Sequence, residues 1–350
     1  MSNFYKNKNI LVTGSAGFVG TNLVKRLVDL GANVTGTIFN KKPQDPIDTV
    51  KYIKVDLTNK KDCAKVCAGI DYVFMCAANS SGASVMEKAP LTHLTPNVVM
   101  NALMLESAYS EGVQKFAFIS SNTVYPLTNN AVVEADANYD FYEKYHIVGW
   151  MKMFSEEMCK MYSNHIKAPM KTLVVRPGNL YGPFHKYNKN ESKVIAALVR
   201  RFVEKQNPLE VWGDGNDIKD FIFIDDFIDG LISTFKNEKI EGPINIASGE
   251  PTTIKDIINA LILISESSDL NVQYDASKPT MIPVRLISTD LVKKEINFSP
   301  KYSIYEGLDK TYNWYQQYYK KFTPEDLIWS FQEHRLEFLF LVEAQITLIG

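Results

Sequence analysis

Residues Ile10 to Gly20 read ILVTGSAGFVG. The stretch opens as a short apolar run, turns at a glycine, and passes at once into the helical pattern TNLVKRLVDLGA. Gly14, Gly17 and Gly20 are spaced so that the first permits a tight turn, the second lets the backbone approach a pyrophosphate, and the third lets helix and strand pack closely. Peptide N–H groups at such a helix start favour an anion. Three glycines alone say little. In a strand-turn-helix setting near the N-terminus they predict a nucleotide-phosphate site built from Gly14, Ala16, Gly17, Phe18, Val19 and Gly20.

Downstream the same alternation recurs. NVTGTIF, YIKVDL, DYVFMCAA, KFAFISS and KTLVVRPGN are short apolar runs separated by longer helical patterns. Strands apolar on both faces and joined by helices argue a parallel sheet covered on both sides. The expected fold class is α/β, a Rossmann doubly wound parallel sheet with a smaller mixed α/β substrate-binding lobe. Residues 1–178 and about 219–247 are assigned to the dinucleotide-binding sheet domain, because FIFIDDFIDGLIS reads as a return to it. Residues about 179–218 and 248–322 are assigned to the lobe; their first part is rich in Gly, Pro and Asn. The last segment, 323–350, ends in RLEFLFLVEAQITLIG. That is shorter than the roughly 20 apolar residues a bilayer-spanning helix needs. It also carries Glu343 and Gln345, so an extra packed or interface element is expected, with its role open.

A chain of 350 residues, 45% hydrophobic, can bury a full core. A formal charge of −2 gives no basic footprint for nucleic acid and no polybasic patch for a membrane surface. The N-terminus MSNFYKNKNILVTGSAG lacks the apolar run and cleavage site of a signal peptide, so the cytoplasm is the expected compartment. The four cysteines, Cys63, Cys67, Cys76 and Cys159, form neither a disulfide framework nor a C-x-x-C pair. Cys63 and Cys67 are spaced for one helix face, which suits core packing better than half a zinc site, and no metal is expected.

An acidic residue at the end of the second strand usually meets the adenosine ribose 2′-hydroxyl of NAD. Here that region reads VTGTIFNKKP, and Asn40, Lys41 and Lys42 stand where no carboxylate repels a 2′-phosphate. NADP(H) is therefore expected over NAD, the alternative being a solvated charge pair in a loop. Asp56, followed by Leu57 at the end of YIKVDL, is placed for the adenine amino group.

Several further motifs follow in order: CAAN at 76–79, ISSNTVYP at 119–126, RPGNLYGP at 176–183, WGDGNDIKDFIFIDD at 212–226, and PVR at 283–285. Over residues 8 to 320 the chain resembles the extended short-chain dehydrogenase/reductases of the NAD-dependent epimerase/dehydratase family, most nearly the GDP-L-fucose synthase-like nucleotide-sugar branch. The resemblance implies a Ser/Thr, Tyr, Lys triad with hydride transfer at a sugar carbon, and a cofactor lined also by Ala77 and Ala78. Ser121 stands at the triad hydroxyl. The family's dehydratases carry an Asp-Glu pair after that residue; here Asn122 and Thr123 follow, so 4,6-dehydration is not expected. The fucose synthases place a cysteine acid/base where Thr123 stands and a histidine where Lys193 stands.

The helix HIVGWMKMFSEEMCK carries the main departure. Lys152 matches the lysine that the resemblance assigns to the nicotinamide ribose, with Cys159 and Tyr162 at the matching spacing beyond it. One turn earlier the family has its tyrosine, whose phenol such a lysine tunes. This chain has Val148, which carries no proton to give. Three accounts stay open. Another group acts, from among Tyr145, Thr123, His146, Lys193 or a water held by Lys152. Or the protein is a catalytically weak or inactive sensor or scaffold that binds dinucleotide and sugar nucleotide. Or Val148 is an engineered substitution in such an enzyme. Tyr145 lies about 10 Å along the axis from Lys152 at 1.5 Å per residue, so it serves only if the helix begins late.

The resemblance further places Asn179 and Arg285 on the phosphates of a nucleoside-diphosphate sugar, with Lys219 where the family often has arginine. A guanidinium suits bidentate phosphate contact; an ammonium supplies charge without the fork. Trp212 is a candidate for stacking on the base, the alternative being a core tryptophan. The helix KVIAALVRRFVEK tilts the base towards GDP. The expected activity is NAD(P)-dependent reduction or epimerisation at a ketosugar carbon of an NDP-hexose, and the expected assembly is a homodimer.

Overall fold

The computed structural model describes residues 3–79, 91–189, 191–240, 242–278 and 280–321. The segment 323–350, set apart in the sequence, lies outside the described residues. The first strand, β1 (Asn9–Thr13), buries four consecutive residues, as a strand covered on both faces must. It pairs in parallel with β2 (Asn33–Ile38) and with β4 (Tyr72–Met75), in registers that set Ile10 beside Val34 and Val12 beside Phe74. Adding β3 (Lys51–Lys54), β5 (Lys115–Ile119), β7 (Lys171–Pro177) and β11 (Pro243–Ile246), the described residues form a seven-stranded parallel sheet. Its order is β11-β7-β5-β4-β1-β2-β3. Chain order reverses between β1 and β4, which opens a crevice at the carboxyl ends of these strands.

Alternation along the strands assigns each side chain to a face. Ile10, Val12 and Phe74 share one core with Leu23 and Leu27 of α1 (Phe18–Asp29) and with Phe227 and Leu231 of α6 (Ile224–Lys236). Leu11, Val73 and Met75 point the other way. They pack with Cys63 and Cys67 of α2 (Lys60–Cys67), Met104 of α3 (Leu91–Ser110) and Cys159 of α4 (His146–Asn164). All three cysteines are buried in this second core. The sheet is thus doubly wound, as expected.

A second layer combines β6 (Ala131–Val132), β8 (Asn179–Tyr181), β10 (Ile218–Phe223), β12 (Pro251–Thr253) and β14 (Val284–Ile287). The pair β9 (Leu209–Trp212) and β13 (Val272–Asp275) stands apart from it. Helices α5 (Val194–Val203), α7 (Ile254–Ser265), α8 (Asp290–Ile296) and α9 (Ile304–Lys321) complete the described chain. Crossings between layers are more frequent than boundaries near 178 and 219 provide. β6 joins the small sheet by pairing with β14, and β10 pairs there with β8, β12 and β14 before α6 and β11 return to the large sheet.

The packing of α1 on β1 depends on one glycine. A Cβ on Gly20 would stand 2.3 Å from the Gly14 carbonyl oxygen and 2.8 Å from Ser15 Cα. Both are backbone atoms that cannot swing aside. Gly20→Ala is therefore expected to destabilise the fold by about 1–3 kcal/mol, the usual cost of overpacking. Urea unfolding measures it; an unchanged midpoint would show that the helix shifts freely.

Candidate functional site

At the end of β1 the chain turns through Gly14, whose φ of +63° lies in the left-handed region. A Cβ there would meet the Ala77 backbone at 2.8 Å, so this turn and the exit of β4 lie in close contact. Thr13 fastens them: its hydroxyl oxygen accepts the Cys76 and Ala77 N–H groups, each at 3.0 Å. Gly17 caps α1 without a side-chain hydrogen bond, and no acidic residue occupies the first turn. The positive end of the helix dipole is uncompensated there. Ala16, Phe18 and Val19 are half-buried around it, and Ala78 is exposed. A pyrophosphate fits this cradle, since the close backbone approaches need glycine and the helix end presents N–H groups.

Asn40, Lys41 and Lys42 lie exposed just beyond β2. Asp56 follows β3 and accepts from the Thr58 N–H at 2.9 Å and the Thr58 hydroxyl at 2.7 Å, while Leu57 is buried beside it. Part of the Asp56 carboxylate is thus committed to its own turn.

The catalytic corner is built where β5 ends against α4. Ser121 starts a single 3-10 turn, and its hydroxyl oxygen accepts from Thr123 N–H at 3.2 Å and Thr123 Oγ1 at 3.0 Å. Lys152 donates to the Ile119 carbonyl at 2.8 Å, two residues before Ser121. Burial first, and Lys193 among its charged neighbours, bring the Lys152 ammonium down to about 8, against the pull of Glu156. Glu156, one turn further along α4, pairs with Arg176 of β7 at 2.6 Å and accepts the Ser120 hydroxyl. Val148 is half-buried one turn before Lys152. The next residue, Gly149, lets the helix touch the Ser121 turn: a Cβ there would lie 2.8 Å from the Thr123 carbonyl oxygen and 2.7 Å from Phe141.

Lys193 precedes α5 as its N-cap. Its side chain is exposed, and desolvation first and Lys186 second depress its pKa. Tyr145 falls elsewhere. The helix begins at His146, directly after it, and the Tyr145 phenol lies beside the Ile282 backbone and Arg285. Burial pushes that phenol up to about 12, with Arg285 opposing. His146 is exposed, its ring 5.7 Å from that of Phe141.

On the sugar side, Lys219 and Arg285 are register partners on β10 and β14. Lys219 is held by Asp217 at 3.0 Å and the Ile282 carbonyl at 2.9 Å. Arg285 is almost wholly buried and donates to the Tyr125 and Pro126 carbonyls, each at 3.1 Å, while its Nε finds no partner. Asn179 donates to the Asp220 carbonyl at 2.9 Å. Trp212, for which the core was the alternative, is 51% exposed. The structure thus gathers the glycine loop and Ala77 at one place, and Ser121, Thr123 and Lys152 at another, with Val148 one turn before Lys152 and Lys193 exposed at the start of α5. Tyr145, Lys219 and Arg285 form a separate group.

Glu156, Gly149 and His185 escaped the sequence reading. Glu156 carried a signal, standing one turn beyond Lys152 on the same face; the other two become meaningful only once α4 and the β8 exit are in place. Among the described residues, no group of three or more His, Cys, Asp or Glu side chains could hold a metal ion, and no helix is long and apolar enough to cross a membrane.

The family described as "NAD dependent epimerase/dehydratase family" matches residues 10–247, and the chain belongs to it. GDP-mannose 3,5-epimerase of Arabidopsis thaliana is 28% identical over 324 residues, 90% of this chain and 84% of that protein. GDP-L-fucose synthase 1 of the same organism is 27% identical, over 89% of this chain and 94% of that one. Among solved structures, a UDP-glucuronic acid 4-epimerase variant from Bacillus cereus, in complex with a fluorinated UDP-sugar and NAD, superposes with a TM-score of 0.76. It is 26% identical, covering 88% of this chain and 99% of that one. An epimerase from Methanothermobacter thermautotrophicus superposes with a TM-score of 0.81 at 24% identity, over 91% and 95% of the two chains.

Lys152 allows a linkage test. Its folded pKa, about 8, lies below the ordinary 10.5, so between those values the unfolded chain binds more protons and stability rises with pH. Lys115, also lowered to about 8, adds a similar contribution. Denaturant titrations of wild type and Lys152→Met cancel it by subtraction. Wild type is expected to gain on the variant from pH 8 to 10.5, and parallel curves would contradict the burial of the ammonium.

Proposed function

We propose that this protein is an NAD(P)-dependent enzyme that reduces or epimerises a ketosugar carbon of a nucleoside-diphosphate hexose, with NADP(H) as the preferred cofactor. What supports the reading is Lys152 bonded to the Ile119 carbonyl two residues before Ser121, with Val148 one turn before it on the helix and the charge of Lys193 acting on it. A nicotinamide dinucleotide, when bound, supplies or takes up the hydride. The chain's residues do the rest. The N-terminus of α1 holds the pyrophosphate, Asp56 faces the adenine, and Lys152 holds the nicotinamide ribose. Ser121 donates to the sugar oxygen, since its own oxygen is already an acceptor for Thr123. The large parallel sheet serves the dinucleotide, and the small sheet with its helices, drawing β6 and β10 from within the first sequence segments, serves the sugar nucleotide, with GDP as the favoured base.

Lys193 carries the proton in this reading. Tyr145 is engaged with the Ile282 backbone near Arg285, and burial keeps its phenol protonated. The Thr123 hydroxyl is too weak an acid to lose a proton and serves only to orient Ser121. The Lys193 charge acts on Lys152, and desolvation first and Lys186 second lower its own pKa, which makes its ammonium a readier donor than an unperturbed lysine. Lys219 brings positive charge to the diphosphate, and Arg285, its neighbour across the β10–β14 pairing, adds its field from a buried position without direct contact. The expected homodimer forms in the cytoplasm through α3 and α4, where Leu91, Trp150 and Met161 are exposed; a monomer in sedimentation at micromolar concentration would exclude it.

Val148 favours a second reading, a sensor that binds both ligands and turns over neither. GDP-, UDP-, dTDP- and CDP-4-ketohexoses, assayed for loss of NADPH absorbance and for solvent deuterium entering the sugar, separate the two. The enzyme converts at least one, and tight binding with neither signal would favour the sensor. Lys193→Ala is expected to lower kcat by about 10²–10⁴, the worth of a positioned acid. Val148→Tyr restores the phenol one turn before Lys152 and is expected to raise a slow chemical step. If instead Lys193→Ala is silent, the proton comes from elsewhere.

A further inference from the structure

Beyond β8 the chain leaves the small sheet and runs along the outside of α1. The Asn22 side chain donates to the Pro183 carbonyl at 3.2 Å, and the rings of Phe18 and His185 lie 4.5 Å apart. The Lys25 ammonium sits 4.3 Å from the centre of the Phe184 ring and also pairs with Asp45, in the loop after β2, at 2.5 Å. The loop that ends β2 and the loop that ends β8 therefore converge over the first turns of the phosphate-binding helix. Each brings a lysine. Lys41 is exposed at the β2 end, and Lys186 is half-buried in the β8 loop, 3.7 Å from Glu191. Burial first lowers the Lys186 pKa; Glu191 opposes this, and Lys41 lowers it further, so the two ammonium groups feel each other across the gap. Two cations carried by loops that converge over one helix end gain from an anion placed between them.

We propose that Lys186 is a second determinant of cofactor choice, reaching from the sugar-nucleotide side of the molecule to share with Lys41 the 2′-phosphate of NADP(H). The inference rests on the NADP(H) reading above and adds a residue that motif spacing at β2 does not supply. The staple of Phe18, Asn22 and Lys25 against residues 183–185 sets the Lys186 backbone in place, and Glu191 holds its ammonium until a phosphate competes.

Fluorescence titration of NADPH and NADH at fixed salt tests it, on wild type, Lys41→Met, Lys186→Met, the double variant and Lys186→Arg. Wild type is expected to bind NADPH more tightly. Lys186→Met is expected to lose roughly tenfold for NADPH, the scale of one charged hydrogen bond, with NADH affinity unchanged. Lys186→Arg keeps most of the preference, and the double variant loses less than the product of the single losses, because one phosphate is shared. If Lys41→Met erases the preference and Lys186→Met does not, the role of Lys186 is overturned while NADP(H) stands. A loss equal for both dinucleotides assigns Lys186 a structural role and overturns the proposal. No preference in wild type overturns the NADP(H) reading itself. Unchanged NADH affinity serves as the check that each variant is folded.

Discussion

Glu156 and Arg176 pair at 2.6 Å with both side chains almost completely withdrawn from water. Desolvating two charges costs several kcal/mol per ion, so the pair's main effect is geometric. Arg176 reaches Glu156 through Nε and Nη2 and also donates to the Tyr125 hydroxyl and the Glu134 carbonyl. Glu156 takes the Ser120 hydroxyl as well. One buried carboxylate thus locks the azimuth of α4, the end of β5 and the strand β7 together. Lys152 and Val148 ride on that helix, and Ser121 follows Ser120. A rotation of α4 that moved Lys152 would first have to break charge-assisted bonds where water cannot replace them.

The same constraint holds α4 in place whatever side chain stands at position 148. Val148 needs no partner where a phenol would, and the contact that brings α4 against the Ser121 turn is made by Gly149. The ammonium of Lys152 keeps its tie to Ile119, which does not depend on any tyrosine. The ionisable groups that act on Lys152 are Glu156, already committed to Arg176, Lys193, and the thiols of Cys159 and Cys76, which burial keeps protonated. Positive charge therefore dominates the cleft, a condition suited to anionic ligands and to stabilising an oxyanion on a sugar carbon.

Local pattern was enough for the sheet domain. Consecutive apolar residues such as Ile10, Leu11 and Val12 can be satisfied only between two helical layers, and the glycine turn admits one geometry. The positions of Ser121 just after β5 and of Lys152 on α4 were readable for the same reason, while their roles rested on the resemblance. The sugar side was less legible. Nothing in the residues around Arg285 announces that its guanidinium spends bonds on the Tyr125 and Pro126 carbonyls, some 160 positions earlier in the chain. Trp212 shows the converse: its neighbours read equally well as core or surface, and only the pairing of β9 with β13 leaves the ring outside. Long-range pairings of this kind escape any reading confined to a window.

The pairing of β6 with β14 bears on how the chain matures on the ribosome. Ala131 and Val132 line up with Leu286 and Ile287, and the Ser288 N–H closes on the Val132 carbonyl at 2.9 Å. Until residues 284–288 have emerged, β6 has no partner in this layer, and Asn245 lacks the Ser288 carbonyl to which its side chain donates. The dinucleotide half can lay down β1 to β5 early, but the rim of the cleft waits for the last third of the sequence. Nascent chains halted before that point would expose an unpaired strand edge and an incomplete pocket. Chaperone dependence and aggregation during synthesis should then concentrate in that interval of elongation.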